Sequence, residues 1–62
     1  MTTQILKATK QALQAEERLL KCYKRMVNQT SDPKVRSVLR DMMLMEEMNE
    51  VLLKTLNQDA GL

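Results

Sequence analysis

Histidine is absent from this chain of 62 residues, and cysteine, glycine and proline each occur once. The single cysteine, Cys22, has no partner for an internal disulfide, so the bridges that stabilise many small domains are excluded. No histidine is available to activate it as a nucleophile, so we interpret it as a small apolar core residue. Because so short a chain buries little apolar surface by itself, we expect it to oligomerise.

Aromatic residues and excess charge are also scarce. Tyr23 is the only aromatic residue, and the net charge is only +2. Aromatic stacking platforms and strongly basic surfaces bind nucleic acids, so we expect no nucleic-acid partner. The first residues, MTTQILKATKQ, are polar and contain neither the apolar core of a signal peptide nor a membrane span. The sequence therefore predicts a soluble, cytoplasmic protein with no membrane partner.

Straight-chain helix formers, chiefly Leu, Met, Lys, Glu and Gln, dominate the sequence and predict an all-α fold. Turn-forming residues are concentrated between Asn28 and Pro33, where Asp32 is the predicted N-cap of a second helix. We predict one domain with a first helix at about 3–28, a turn at 29–32, a second helix at about 33–57 and a frayed tail at 58–62. So short a connection makes the two helices antiparallel.

Apolar residues recur along the first helix with the alternating three- and four-residue spacing of a packed seam. The predicted seam is Ile5, Ala8, Ala12, Ala15, Leu19, Cys22 and Met26. It is widened on one side by Leu6, Leu13, Leu20 and Val27, and bordered on the other by Thr9, Glu16 and Tyr23. The predicted seam of the second helix is Val35, Val38 or Leu39, Met42, Met45, Asn49, Leu52 or Leu53, and Leu56. Arg36 and Glu50 are predicted to face solvent.

Both apolar arcs are wider than the contact between two helices requires, so leucine and methionine side chains would face water in a monomer. A two-fold pairing of identical hairpins covers these faces and yields a four-helix bundle. The predicted architecture is therefore an antiparallel two-helix hairpin that assembles as a homodimeric four-helix bundle, or as a higher homo-oligomer.

Polar residues interrupt the apolar arcs at one level. In an antiparallel hairpin centred near Ser31, residues whose numbers add up to about 62 lie level with one another, and Glu16 and Glu46 meet this condition. Asn49 is one turn from Glu46 on the same side of its helix, and Tyr23 is two turns from Glu16. A buried carboxylate or amide is costly unless something satisfies it. The sequence thus predicts Glu16, Glu46 and Asn49 as candidate metal ligands, with Tyr23 as their neighbour.

The same residues resemble half of a ferritin-like bundle of the rubrerythrin type. In that family a glutamate on one helix is followed seven residues later by a tyrosine, and the next helix, after a turn often built around Asp-Pro, carries Glu-x-x-His. The matching positions, over nearly the whole chain, are held by Glu16 and Tyr23, by Asp32-Pro33, and by Glu46-Glu47-Met48-Asn49. The resemblance implies a four-helix bundle, here built from two chains, in which glutamates bridge a pair of iron atoms. Asn49 departs from the pattern, because it occupies the histidine position.

An amide oxygen binds Fe(II) more weakly than imidazole does, and an oxygen-only site suits Mg, Ca or Mn at least as well. We therefore expect no bound metal, with iron or manganese at the glutamates as the alternative. Two classes of function stay open. One is a carboxylate-bridged metal protein that handles iron or peroxide through Glu16 and Glu46. The other is a non-catalytic structural, coat-type or partner-helix-binding module that keeps the bundle without the metal.

Overall fold

Two helices and a short connection make up the described part of the chain. The computed structural model describes the backbone of residues 3–60 and the side chains of residues 3–58, with α1 at Thr3–Gln29 and α2 at Pro33–Ala60. Over this range the predicted all-α hairpin is confirmed, and it measures 45 × 14 × 11 Å. The second helix continues beyond its predicted end near residue 57, through part of the predicted frayed tail. Residues 61–62 of that tail lie outside the described residues.

Asp32 organises the turn and the start of α2. Its Oδ1 accepts a hydrogen bond of 2.9 Å from the backbone N–H of Lys34, and its carbonyl accepts one of 3.0 Å from the backbone N–H of Arg36. The N–H of Asp32 itself donates to Thr30 Oγ1 at 3.2 Å. Pro33 follows at the first helical position, where a missing N–H breaks no helical hydrogen bond. Asp32 therefore caps α2, as its place before proline predicts.

Arg36 ties the end of α1 to the start of α2. Its Nη1 donates hydrogen bonds of 3.3 Å to the carbonyl oxygens of Val27 and Thr30. Val27 lies in the last turn of α1, where carbonyls lack a partner within the helix and the helix dipole is negative. The cationic side chain satisfies these acceptors and complements the dipole. The prediction that Arg36 faces solvent is wrong, because these carbonyls draw the side chain across the turn and leave it half-buried.

The helices pack along an inter-helix seam in which side chains again alternate by three and four residues. On α1 the seam consists of Leu6, Thr9, Leu13, Glu16, Leu20, Tyr23 and Val27. On α2 it consists of Arg36, Leu39, Met43, Glu46, Glu50, Leu53 and Asn57. Leu20, Leu39 and Thr9 are buried. The hydroxyl of Thr9 donates a hydrogen bond of 2.8 Å to the Ile5 carbonyl, which offsets the cost of burying it.

The seam predicted for α1 lies beside this contact and is largely exposed. Leu19 and Met26, which belong to the predicted seam, expose 39% and 47% of their surface. The leucines of the observed seam bury more apolar area than the alanines of the predicted one, so contact through the leucines is favoured. On α2 the seam is displaced in the same way, and Val35 and Met45 of the predicted seam are exposed. Where two alternatives were open, Leu39 is buried and Leu53 half-buried, whereas Val38 and Leu52 are exposed.

Replacing Arg36 with methionine keeps an unbranched stem and removes the charge and the donors. The free energy of unfolding is expected to fall by about 1 kcal/mol, the order of magnitude of a charged side chain bonded to a helix C-terminus. Urea unfolding followed by circular dichroism at a fixed protein concentration measures the change. Arg40→Met, at an exposed position of the same helix, is the control. An equal loss of stability in both variants would contradict the capping role of Arg36.

Candidate functional site

Three glutamates lie in the inter-helix seam near the middle of the hairpin. Glu16 on α1 and Glu46 and Glu50 on α2 are half-buried. One carboxylate oxygen of each is sealed from solvent, namely Oε2 of Glu16, Oε2 of Glu46 and Oε1 of Glu50. Among the residues that the structure describes, none donates a hydrogen bond to these three oxygens. We call Glu16, Glu46 and Glu50 the carboxylate layer.

The antiparallel register explains why these carboxylates occupy neighbouring levels. Glu16 and Glu46 are each 15 residues from Ser31, at the centre of the connection, so they lie level with each other. Glu50 lies one turn further from the connection on the same side of α2. The adjoining seam positions are apolar: Leu13 and Leu20 on α1, and Met43 and Leu53 on α2. One oxygen of each carboxylate therefore loses contact with water without gaining a donor among the described residues in return.

The structure changes the predicted set of polar residues between the helices. Glu50, predicted to face solvent, lies in the seam, whereas Asn49, predicted to lie in it beside Glu46, is exposed. The alternating three- and four-residue spacing indicates that Glu50 belongs to the seam. The four-residue step from Glu46 to Glu50 continues the alternation, whereas a three-residue step from Glu46 to Asn49 would break it. A search for apolar residues alone misses this, since several seam positions of α2 are polar.

A single hairpin does not assemble a metal centre over the described residues. No group of three or more His, Cys, Asp or Glu side chains in that range is close enough to hold an ion. Tyr23 lies half-buried on the same side of α1 as Glu16, but two turns, roughly 10 Å, nearer the connection. The sealed oxygens of the carboxylate layer are the donor type that hard cations prefer. A ligand set of four glutamates, as the resemblance implies, would therefore have to come from two copies.

One broad side of the hairpin carries exposed apolar residues from both helices. On each helix, the row consists of the residues that come one position before the residues of the inter-helix seam. Because the helices are antiparallel, both rows lie on the same side of the hairpin. From α1 the row consists of Ile5, Ala8, Ala12, Ala15, Leu19, Cys22 and Met26. From α2 it consists of Val35, Val38, Met42, Met45, Asn49, Leu52 and Leu56, of which Asn49 is polar. Ala12, Cys22 and Met42 are half-buried and the other members of the two rows are exposed. We call these two rows together the apolar face.

A shallow groove near the connection joins the two rows of the apolar face. Its lining consists of Met26, Lys34, Val35, Val38, Leu39 and Met42. The opposite broad side is more polar, with depressions lined by Lys24, Asn28, Arg40 and Glu47 together with Val27, Met43 and Leu44. Leu44, Met48 and Val51 are also exposed. None of them belongs to the two rows, and Leu44 lies on the more polar side. The apolar face is therefore a surface to which both helices contribute a row of largely apolar side chains.

No protein-family model, no curated protein and no solved structure matches this chain. The resemblance to a rubrerythrin-type half-bundle therefore rests on the motif residues alone. Over residues 3–60, neither helix is long and apolar enough to cross a lipid bilayer. The carboxylate layer and the apolar face are the features from which a function can be argued.

Removing charge from the carboxylate layer is expected to stabilise the metal-free protein. Glu16→Gln and Glu50→Gln each replace a half-buried carboxylate by a neutral side chain of the same shape, whose burial costs less. Each is expected to raise the free energy of unfolding by about 0.5–1 kcal/mol. Urea unfolding in the presence of a chelator measures the effect.

Glu17→Gln and Glu47→Gln, at exposed neighbouring positions, are the matched controls. These controls are expected to change stability little, because a solvated carboxylate has no desolvation cost to relieve. A loss of stability in the two layer variants, with no change in the controls, would show that the carboxylates are satisfied in the folded protein.

Proposed function

We propose that this chain is a self-associating helical module, in which two hairpins dock through their apolar faces into an antiparallel four-helix bundle with a structural, non-catalytic role. The observation that carries this proposal is the pair of exposed apolar rows on one side of the hairpin. Contiguous exposed apolar surface of this kind marks interaction sites in proteins. A second copy offers the same surface and needs no further component.

The small core of the hairpin supports the proposal. Leu20 and Leu39 are the buried apolar side chains among the described residues. Burying one leucine stabilises a fold by about 1.5–3 kcal/mol, whereas ordering the backbone of a single residue costs about 1–2 kcal/mol. Two buried leucines and their half-buried neighbours leave helices of 27 and 28 residues poorly stabilised. Docking a second copy would add apolar burial along the whole length of both helices.

The dimensions of the apolar face also suit a dimer. The hairpin is 45 Å long and 14 Å wide. The footprint is thus on the order of 600 Å² per copy, close to the ~800 Å² that each partner buries in a standard protein interface. Face-to-face docking would cover Asn49 together with the apolar rows, so the amide would lie inside the bundle, one turn from Glu46.

A carboxylate on the apolar face is expected to break the dimer. Leu52→Glu places one on the apolar face, whereas Leu44→Glu places one on the opposite, more polar side of the hairpin. The two leucines are similarly exposed, at 58% and 64%. Leu52→Glu is expected to weaken dimerisation roughly a hundredfold, because an unpaired charge would be buried, whereas Leu44→Glu should leave it unchanged. Sedimentation velocity at micromolar concentration measures both. A folded wild-type monomer, or dissociation caused by Leu44→Glu alone, would reject the proposal.

We propose, as a second function of the same bundle, that it holds an iron or manganese ion at the carboxylate layer. Three sealed carboxylate oxygens without a donor favour this function. Face-to-face docking would bring two such layers together, with Glu16, Glu46 and Glu50 as ligands and Asn49 close by. The ion would supply redox or Lewis-acid chemistry that carboxylates lack. The glutamates would bind and orient it, and the surrounding leucines would exclude water.

Mn²⁺ is expected to raise the melting temperature of the wild type by a few degrees, since a ligand of the folded state stabilises it. The double variant Glu16→Gln/Glu46→Gln should show no such shift, whereas Glu17→Gln/Glu47→Gln should behave as the wild type. Elemental analysis after gel filtration, together with the electron paramagnetic resonance of bound Mn²⁺, gives the stoichiometry. No bound metal and no shift in the wild type would reject the metal function and leave the structural one standing.

A further inference from the structure

Resting on the proposed dimer, we infer that the two hairpins dock with their connections at opposite ends of the bundle. In this arrangement α1 lies against α1 of the second copy, and α2 lies against α2. The two-fold axis is then perpendicular to the long axis of the bundle. If the axis instead ran along the bundle, α1 would lie against α2 and both connections would be at the same end. Both arrangements keep neighbouring helices antiparallel, so helix packing alone does not choose between them.

Charge is segregated along the hairpin, and this favours opposite ends. Residues 18–44, the half that contains the connection, carry seven basic and two acidic side chains, a net charge of +5. Residues 1–17 and 45–62 carry three basic and six acidic side chains, a net charge of −3. Docking with both connections at the same end would place the two positive halves side by side. Docking at opposite ends places each positive half beside a negative half of the other copy, which is the complementary arrangement.

Single charge pairs at the edges of the apolar face decide little by comparison. With connections at the same end, Asp41 would lie level with the gap between Arg18 and Arg25 of the second copy, but Lys34 would also come close to that Arg25. With connections at opposite ends, the Arg18 side chains of the two copies come within about one turn of each other. All four side chains are exposed, and exposed pairs contribute little because water and salt screen them.

Side-chain size along the apolar face permits the opposite-end arrangement. After Ile5, the row on α1 has three alanines in its first half, and its second half holds the larger Leu19 and Met26 together with Cys22. When one copy is turned end for end, the alanine half of α1 faces the larger half of its counterpart. On α2, Val35 and Val38 similarly face the leucines at the other end of the row. Apart from Ile5, which would lie near Met26 of the other copy, small side chains would then meet large ones, as close packing of a core requires.

The central position of the carboxylate layer fits the same symmetry. Glu16 is the middle residue of α1, with 13 helical residues on each side of it. Turning a copy end for end about this level keeps both helices fully overlapped and brings the two carboxylate layers to one height. The full length of the apolar face is then covered.

Distances between spin labels at the connections test this arrangement. A genetically encoded keto amino acid at the exposed Ser31 takes the label, so Cys22 stays unchanged on the apolar face. Double electron–electron resonance on this dimer is expected to give a distance near the 45 Å length of the hairpin. A mixture of copies labelled at Ser31 and copies labelled at the exposed Gln58, near the other end of α2, should add a second distance of roughly 20–30 Å, since packed helices lie about 10 Å apart.

A distance of roughly 20–30 Å between two Ser31 labels, with a long one between Ser31 and Gln58, would overturn the inference. That result would leave the proposed dimer intact, because it still requires two copies. A labelled protein that sediments as a monomer would instead contradict the proposed function on which the inference rests. Sedimentation and the two distances therefore separate the two failures.

Discussion

Two helices that touch along one seam can bury only one side of each, and this limit shapes the whole molecule. The seam runs the full length of the hairpin, yet only Leu20 and Leu39 among the described apolar residues are buried in it. Apolar residues that the contact between α1 and α2 does not reach form the apolar face. The stability of the fold and the proposed association with a second copy are therefore linked, since that association would supply the apolar burial that one hairpin lacks.

Burying carboxylate oxygens costs free energy, and the seam that contains the carboxylate layer buries few apolar side chains to offset that cost. Glu16 and Glu46 lie level with each other, so a shift of the helices by one turn would place Glu46 against Leu13 or Leu20. Buried polar residues can fix register and oligomeric state in helical bundles for this reason. The same placement at mid-length is what a metal site shared between two copies would need. A layer that fixes the register and the proposed cation site would therefore use the same three side chains.

Local signals predicted the secondary structure well. The turn-formers around Asp32 and Pro33 place the break between the helices, and the Asp32 cap follows from a side-chain hydrogen bond that its position makes available. Long-range contacts were not predictable in this way. Arg36 bonds to carbonyls across the connection, and Glu50 takes the seam position that Asn49 was expected to occupy. Both residues are polar, and composition assigns polar residues to the surface unless a partner is known.

The sequence by itself determined two amphipathic helices, the turn that joins them and the level at which Glu16 meets Glu46, because spacing and capping act within a few residues. Only the tertiary structure decided how each helix is rotated about its own axis. Each apolar arc is wide enough to offer two adjacent rows to the other helix, and periodicity cannot rank them. The ranking comes from side-chain volume across the contact: Leu6, Leu13 and Leu20 pack against α2, and the row that contains the alanines stays largely exposed.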